Sequence, residues 1–443
     1  MKTSVLLDVL ASSLLAGEAN VEEAHARLVH TLGRNFRWLR PLAARYVKAF
    51  AQRIRPHRRE VIAFLRSDIG LKDARERYPH EIEIEHWLTE PQIMQPAAPA
   101  ASWNLPTIES AGALSEWLAV SPSQLLWFAD LKGLTAKLNS PRLRHYHYRV
   151  LRKPSGDFRL IEIPKPRIKD IQRQILFHIL NKVPSHTSVH GFLRDRSIRT
   201  FVAPHVGRRV VLRMDLQDFF PTFGAARIAT FFRIAGYPES VADLLAGLCT
   251  TTTPRSLWSN LTKQGDYTAA YAARDLYSRP HLPQGAPTSP ALANICTYRT
   301  DCRLTGLTKS AGAHFTRYAD DLAFSGDRDF EKGVDRFSIH VAAILMEEGF
   351  TVNHRKTRIM RQGVRQHLAG AVVNDKTNIP RPDFDVLKAT LTNCIRKGQQ
   401  TQNRDAHLDF RAHLTGRVAF VESLNAAKGR RLRSLLHQIS WQP

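Results

Sequence analysis

A chain of 443 residues is long enough for a full hydrophobic core and for more than one domain. Its 64 Lys and Arg against 40 Asp and Glu leave a formal charge of +24, which makes a polyanion, nucleic acid first, the natural partner. The opening MKTSVLLDVLASSLLAG imitates a secretory leader, but Asp8 interrupts it and no apolar run of membrane-spanning length follows, so a cytoplasmic protein with no membrane partner is expected.

From the N-terminus, SVLLDVLASSLLAG, EEAHARLVHTLG, LRPLAARYVKAFAQRI and REVIAFLRSDIG carry apolar residues at helical spacing, several closed by glycine. Residues 1–93 therefore read as a small helical domain, and MQPAAPAAS, 94–102, as a semi-rigid Pro and Ala linker. The basic run Arg37, Arg40, Arg45, Lys48, Arg53, Arg55, Arg58 and Arg59 fits either a phosphate track or, the preferred reading, a solvated helix face. Beyond the linker, LSEWLAVSPSQLLWFAD reads as a helix pair and HYHYRVLRKPSGDFRLIEIP as a β-hairpin turning at Pro154, Ser155 and Gly156. IKDIQRQILFHILNKV is an amphipathic helix, RRVVLRMDLQDFF begins as a strand, residues 250–280 read as a long loop or an insertion, and FEKGVDRFSIHVAAILMEEGF is a helix followed by the strand-like TVNHRKTRIM. Mixed elements with antiparallel pairing give an α+β class. Cys249, Cys296, Cys302 and Cys394 lack CxxC or zinc spacing and read as reduced thiols.

Two stretches place acids where a strand should bury itself. VVLRMDLQDFF ends an apolar run on Asp215, and FTRYADDLAFSG sets Asp320 and Asp321 in an apolar and aromatic context. Burying unpaired carboxylates costs several kcal/mol each, so a shared divalent cation is the economical reading. Mg²⁺ takes oxygen ligands, commonly one or two carboxylates plus substrate phosphates. If the two strands are neighbours, Asp215 and Asp320 hold two metals for in-line phosphoryl displacement.

YADD at 318–321, LPQGAPTSPALANI at 282–295 and DLQDFF at 215–220 stand in an order that resembles the reverse transcriptase palm. KPSGDFRLIEIPKPRIKDIQRQIL, VHGFLRDRSI and the closing LTGRVAFVESLNAAKGRRLRSLLHQISW resemble the bacterial retron type in particular. The resemblance, from about Leu114 onward, implies a right-hand polymerase fold with fingers and palm over 103–379 and a helical, RNA-binding thumb over 380–443. It implies that Asp215, Asp320 and Asp321, with the Leu216 carbonyl, hold two Mg²⁺ ions, with Mn²⁺ as a substitute. By the same resemblance Phe220 is a steric gate against the 2'-hydroxyl, with a core phenylalanine as the alternative, and Gln284 and Gly285 line the nucleotide pocket. Arg152 and Arg159, spaced to point together from one hairpin, and Lys153 take the triphosphate. Lys356 is either a general acid for pyrophosphate or a surface lysine. Lys428, Arg430, Arg431 and Arg433 would grip duplex phosphates.

The sequence also departs from the retron pattern. The NAxxH element appears as FVAPH, keeping only His205 as an expected nucleic-acid contact, and VTG appears as LAG, Leu368 to Gly370. The implied function is an RNA-directed DNA polymerase that copies a structured non-coding RNA into an RNA–DNA duplex from deoxynucleoside triphosphates, in antiphage defence with a toxin or effector partner. The alternative is an RNA-binding scaffold with a vestigial polymerase fold that holds a protein effector.

Overall fold

The computed structural model describes every residue except 1–2, 18, 52–55, 87, 89–92, 139, 153–157, 263–270, 272–273 and 442–443. Its contacts divide it into two units, residues 1–184 with 223–292 and residues 185–222 with 293–443.

In the first unit five helices, Thr3–Leu15, Val21–Leu32, Leu39–Ala49, Arg58–Ser67 and Ile69–Arg77, bury Leu10, Leu14, Leu28, Leu39, Leu42, Tyr46 and Val61 against one another. Local chemistry sets their limits. Asn20 accepts the Glu23 N–H at the start of the second helix, and Gly33, at φ 63°, ends it. Gly70, read from sequence as a stop, lies instead inside the fifth helix, because Asp68 caps that helix through the Leu71 N–H. Much of the basic run is matched by acids: Arg40 pairs with Glu22, Arg45 with Asp68 at 2.7 Å and Arg58 with Asp8 at 3.4 Å, while Arg53 and Arg55 lie outside the described residues. The Pro and Ala stretch is hydrogen-bonded: the Gln95 N–H donates to the Gly236 carbonyl at 2.9 Å and the Ala97 N–H to Ile234 at 3.0 Å. The Arg58 N–H, at the start of its helix, donates to the Glu239 carboxylate at 2.9 Å, an acid set against the positive end of a helix dipole.

The same unit contains the hairpin β1 (Tyr146–Arg152) and β2 (Phe158–Pro164), whose turn residues lie outside the described residues. Leu160 on one face packs with Trp258 and Tyr277. Trp258 comes from the helix Arg255–Thr262, inside the stretch expected to be a loop; its ring is 2 % exposed, and burying an indole is reason for that segment to be ordered.

The second unit is built on a four-stranded antiparallel sheet of β3 (Val210–Asp215), β4 (His314–Tyr318), β5 (Asp321–Gly326) and β6 (Arg358–Arg361), in the order β4-β5-β3-β6. The helix Arg328–Glu347 covers one face through Phe337 on Phe324. Helices Arg381–Lys397, Phe410–Leu424 and Ala426–His437 share a core of Leu391, Leu414, Val418, Val421 and Leu432. LAG falls in a tight hairpin between β7 (His367–Leu368) and β8 (Ala371–Val372), with Ala369 and Gly370 both at positive φ.

Gly236, at φ +105°, leaves no room for a side chain: an added Cβ would stand 2.5 Å from the Pro96 nitrogen. Gly236→Ala is therefore expected to destabilise the protein by about 1–3 kcal/mol, read as a lower thermal midpoint, through backbone strain and loss of the 94–97 docking.

Candidate active site

β3 is apolar because it lies between two neighbours: Val210, Val211, Leu212 and Met214 are buried. It ends on Asp215, 3 % exposed, whose register partner is Asp321, the first residue of β5. Tyr318 and Asp321 close the β4–β5 hairpin, so its connection is just Ala319 and Asp320. The Leu216 N–H donates to the Asp320 carbonyl at 3.0 Å, which ties the hairpin tip to the end of β3. Strand register thus gathers Asp215, Asp320 and Asp321, with the Leu216 backbone, at one end of the sheet.

These acids lean on two cations. Lys356 Nζ donates to Asp215 Oδ2 at 3.0 Å, and the Arg213 guanidinium donates twice to Asp321 Oδ1, at 2.7 and 2.9 Å. Lys356 comes from the turn before β6, where the Asn353 N–H donates to the Asp215 carbonyl at 2.8 Å. Burial, and then the charge of Asp215, push the Asp320 carboxyl up to about 6. Burial also raises Asp321, against the pull of Arg213. Sequence reading missed Arg213; its signal was a charge at i−2 from Asp215 on the same face of an otherwise apolar strand.

Among the described residues, no group of three or more His, Cys, Asp or Glu side chains forms a ready metal cage. The donor set still suits a hard divalent ion. Mg²⁺ relies on one or two carboxylates completed by waters and substrate phosphates rather than on an all-protein cage, and the like-charge strain on Asp320 is what a cation would relieve.

The neighbouring aromatics divide as their chemistry suggests. Phe219 is 4 % exposed and stacks on Phe350, whereas Phe220 is only partly buried and meets the exposed ring of Phe192, centroids 6.2 Å apart. In the first unit, the Glu162 N–H donates to the Gln284 carbonyl at 2.9 Å, and Gly285 at φ +136° passes so close to Glu162 that a Cβ would stand 2.7 Å from its carbonyl oxygen. Gln284 is half-buried and Gly285 exposed. Below them, buried Glu162 is held by His281 Nε2 and the Thr253 hydroxyl, both at 2.9 Å.

Three sequence expectations need correction. Arg152 pairs with Phe158 and Arg159 with Leu151, so alternation puts the two arginines on opposite faces of the hairpin instead of pointing together. Arg159 instead shares its exposed face with Arg149, which sequence reading passed over; Lys153 lies outside the described residues. His205 is 0 % exposed, its ring nitrogens 2.6 Å from the Ser325 hydroxyl and 2.7 Å from that of Thr316, and burial drives it down to about 3. A neutral histidine sealed beneath β4 and β5 braces strands and does not reach nucleic acid. On the C-terminal helix, Lys428 lies over the Phe384 ring and Arg433 pairs with Glu422, which leaves Arg430 and Arg431 exposed.

The fold and cluster together define an α+β protein with three carboxylates gathered at the end of an antiparallel sheet. Comparison with known families matches residues 151–387 to the reverse transcriptase (RNA-dependent DNA polymerase) family. The chain is similar to the retron Mx65 reverse transcriptase of Myxococcus xanthus, 39 % identical over 66 % of this chain and 64 % of that protein. It is 33 % identical to the retron Mx162 reverse transcriptase of the same organism, over 76 % of this chain and 68 % of the relative. With the retron Ec86 reverse transcriptase of Escherichia coli it shares 28 % over 67 % of this chain and 81 % of the relative. The chain belongs to the reverse transcriptase family, in its retron type. It spans a little under two thirds of the Mx65 relative's length. No described helix is long and apolar enough to cross a membrane.

The raised Asp320 carboxyl makes a test of the site's electrostatics. Its folded pKa, about 6, stands above an unfolded value of about 3.9, so its contribution to stability is complete below about 3.9 and is lost as pH rises through about 6. Asn carries no such dependence. In chelator, Asp320→Asn is therefore expected to gain on the parent between pH 4 and pH 8, by on the order of 1–2 kcal/mol allowing for partial exposure, measured as the difference in thermal unfolding.

Proposed function

We propose that this chain is an RNA-directed DNA polymerase of retron type that makes cDNA from a structured non-coding RNA by two-metal nucleotidyl transfer. The observation that carries the reading is the register pairing of Asp215 with Asp321, with Asp320 held beside them through the Leu216 N–H. Asp215, Asp320 and the Leu216 carbonyl, with Asp321 as the weaker ligand, would hold two Mg²⁺, or Mn²⁺ in their place. When bound, such ions supply Lewis acidity at a primer hydroxyl and charge neutralisation at the leaving pyrophosphate.

The chain's own residues have distinct tasks in this reading. Lys356, held 3.0 Å from Asp215, releases that carboxylate as the site fills and offers its proton to the leaving pyrophosphate. Arg213 orients Asp321 and offsets part of the burial that raises its carboxyl. Phe220, less buried than Phe219, sets its ring under the sugar and excludes a 2'-hydroxyl. Gln284 and Gly285 take the incoming nucleotide, and Arg159, with Arg149 on its face, its phosphates; Arg152 is on the other face. In this assignment residues 1–93 are the N-terminal helical domain, 94–102 the linker, 103–379 fingers and palm, and 380–443 a thumb whose Arg430 and Arg431 contact duplex phosphates. A cytoplasmic setting, antiphage defence and a toxin or effector partner follow from the retron reading, and a salt-sensitive grip on RNA from the +24 charge. A scaffold with a vestigial site is the weaker reading, since it would have no use for three acids gathered at such electrostatic cost.

The deciding experiment is Mg²⁺-dependent deoxynucleotide incorporation on an RNA template with an annealed primer. Asp320→Asn is expected to lower it roughly 10³-fold or more while RNA binding holds, as loss of a metal carboxylate forfeits several kcal/mol of transition-state stabilisation. An active Asp320→Asn enzyme would remove these acids from the chemistry.

Phe220→Val opens the volume beneath the sugar. It is expected to raise ribonucleotide use relative to deoxynucleotide use roughly tenfold in kcat/KM. An unchanged ratio returns Phe220 to packing.

A further inference from the structure

Arg317 is 0 % exposed, in β4, three residues before Asp320. Its Nε and Nη2 donate to the two oxygens of Asp301, each at 2.7 Å, and Asp301 is likewise 0 % exposed. Its Nη1 donates to Asn294 Oδ1 at 3.1 Å and to the main-chain carbonyl of Ala319 at 3.2 Å. Ala319 is the residue directly before Asp320, and it stands at φ +55°, where an alanine is strained. The other side of the turn is closed by Gly191. A Cβ there would lie 2.7 Å from the Ala319 nitrogen, and Asn294 Nδ2 donates to the Gly191 carbonyl at 2.9 Å. The main chain of Arg317 is fixed too: its N–H donates to Ser188 and its carbonyl accepts from His190, both at 2.8 Å.

A buried guanidinium–carboxylate pair is seldom a gain over apolar packing, because desolvating two ions costs several kcal/mol each. Here one guanidinium meets the helix residue Asp301, the Asn294 side chain and the carbonyl of a strained turn. An apolar side chain of equal volume could fill the space but could not hold that carbonyl. We propose that Arg317, oriented by Asp301 and Asn294, is a positioning residue: it holds the left-handed turn at Ala319 and so sets where the Asp320 carboxylate stands. This rests on the reading of Asp320 as a catalytic ligand, but the geometry of the turn can be measured without it.

The test compares Arg317→Lys and Asp301→Asn, each alone and combined with Ala319→Gly, in the full chain. Lysine keeps the charge but loses the fork, and glycine adopts φ +55° without strain. Either single change is expected to lower kcat for deoxynucleotide incorporation roughly 10–100-fold, with KM for nucleotide and affinity for primer–template within about threefold. Ala319→Gly is expected to return at least about fivefold of that loss, which a merely structural role would not allow. Hydrogen exchange over residues 316–322 is expected to quicken in Arg317→Lys while β1 and β2 keep their protection. Full kcat in both single variants, or a loss that glycine does not reduce, overturns the proposal. If the parent enzyme does not incorporate nucleotide, the polymerase reading fails, and unchanged exchange over 316–322 then still overturns the positioning role. Should both single variants unfold, Asn294→Ala leaves the Arg317–Asp301 pair in place and is expected to quicken the same exchange; unaltered exchange there counts against the proposal.

Discussion

Burial of neighbouring carboxylates at one sheet end, Asp215, Asp320 and Asp321, is the constraint on which the second unit turns. Burial first, and then the charge of Asp215, push the Asp320 carboxyl up to about 6, and that displacement is the cost of gathering acids there. Each neighbouring feature answers it. Lys356 and Arg213 bring positive charge to the flanking acids, the Leu216 N–H fixes the Asp320 main chain, and the apolar strand beneath keeps the array from relaxing into solvent. A protein needing stability alone would place asparagines or apolar residues there.

The parts of this arrangement that were legible in the sequence are those written in local pattern. The apolar run into Asp215, the alternation of the β1–β2 hairpin and the amphipathic period of Arg328–Glu347 each follow from the spacing of neighbours in the chain. YADD became informative only beside the apolar run into Asp215, since acids in either strand alone could equally cap a turn or pair with an arginine, as Asp321 does with Arg213. What escaped sequence reading depends on side chains distant in sequence. Arg317 went unremarked, because its partner Asp301 lies 16 positions away on a helix. Arg152 and Arg159 looked alike, and only the register separates their faces. His205 matched a motif position, but motif position does not report burial, and here burial decides what the ring can touch. The helix Arg255–Thr262 was hidden because its reason for folding, Trp258 against Leu160 and Tyr277, comes from tertiary packing.

The pool of basic side chains open to phosphates is smaller than the count of 64 Lys and Arg suggests. Arg299 and Arg303 hold Glu348, Arg209 holds Glu331, Arg433 holds Glu422, and Arg317 is buried with Asp301. Ion pairs of this kind fix side chains more than they stabilise the fold where they are exposed, since exposed pairs contribute little. They do remove those arginines from the pool available to phosphates. Sequence proximity in the run from Lys428 to Arg433 therefore overstates the contact surface, and Arg430 and Arg431 are the members of that run with their heads turned to solvent.

Three alanines in the second unit, Ala319, Ala369 and Ala406, have left-handed backbone, and the contrast between the first two bears on function. At Ala369 the strain belongs to a two-residue hairpin whose second member, Gly370 at φ +83°, has open space where a Cβ would be. Ala369 itself packs against the core of the unit. At Ala319 the backbone is met from two sides, by the Arg317 guanidinium and by the close approach of Gly191. Strain of one to a few kcal/mol persists where surroundings over-determine it, and a turn that glycine would relax but that a buried ion pair instead enforces has been held to one geometry. Were the guanidinium lost, glycine there would keep the turn populated where alanine would leave it. For a carboxylate that must meet both Asp215 and whatever charge it is built to hold, a narrow range of positions is worth the strain.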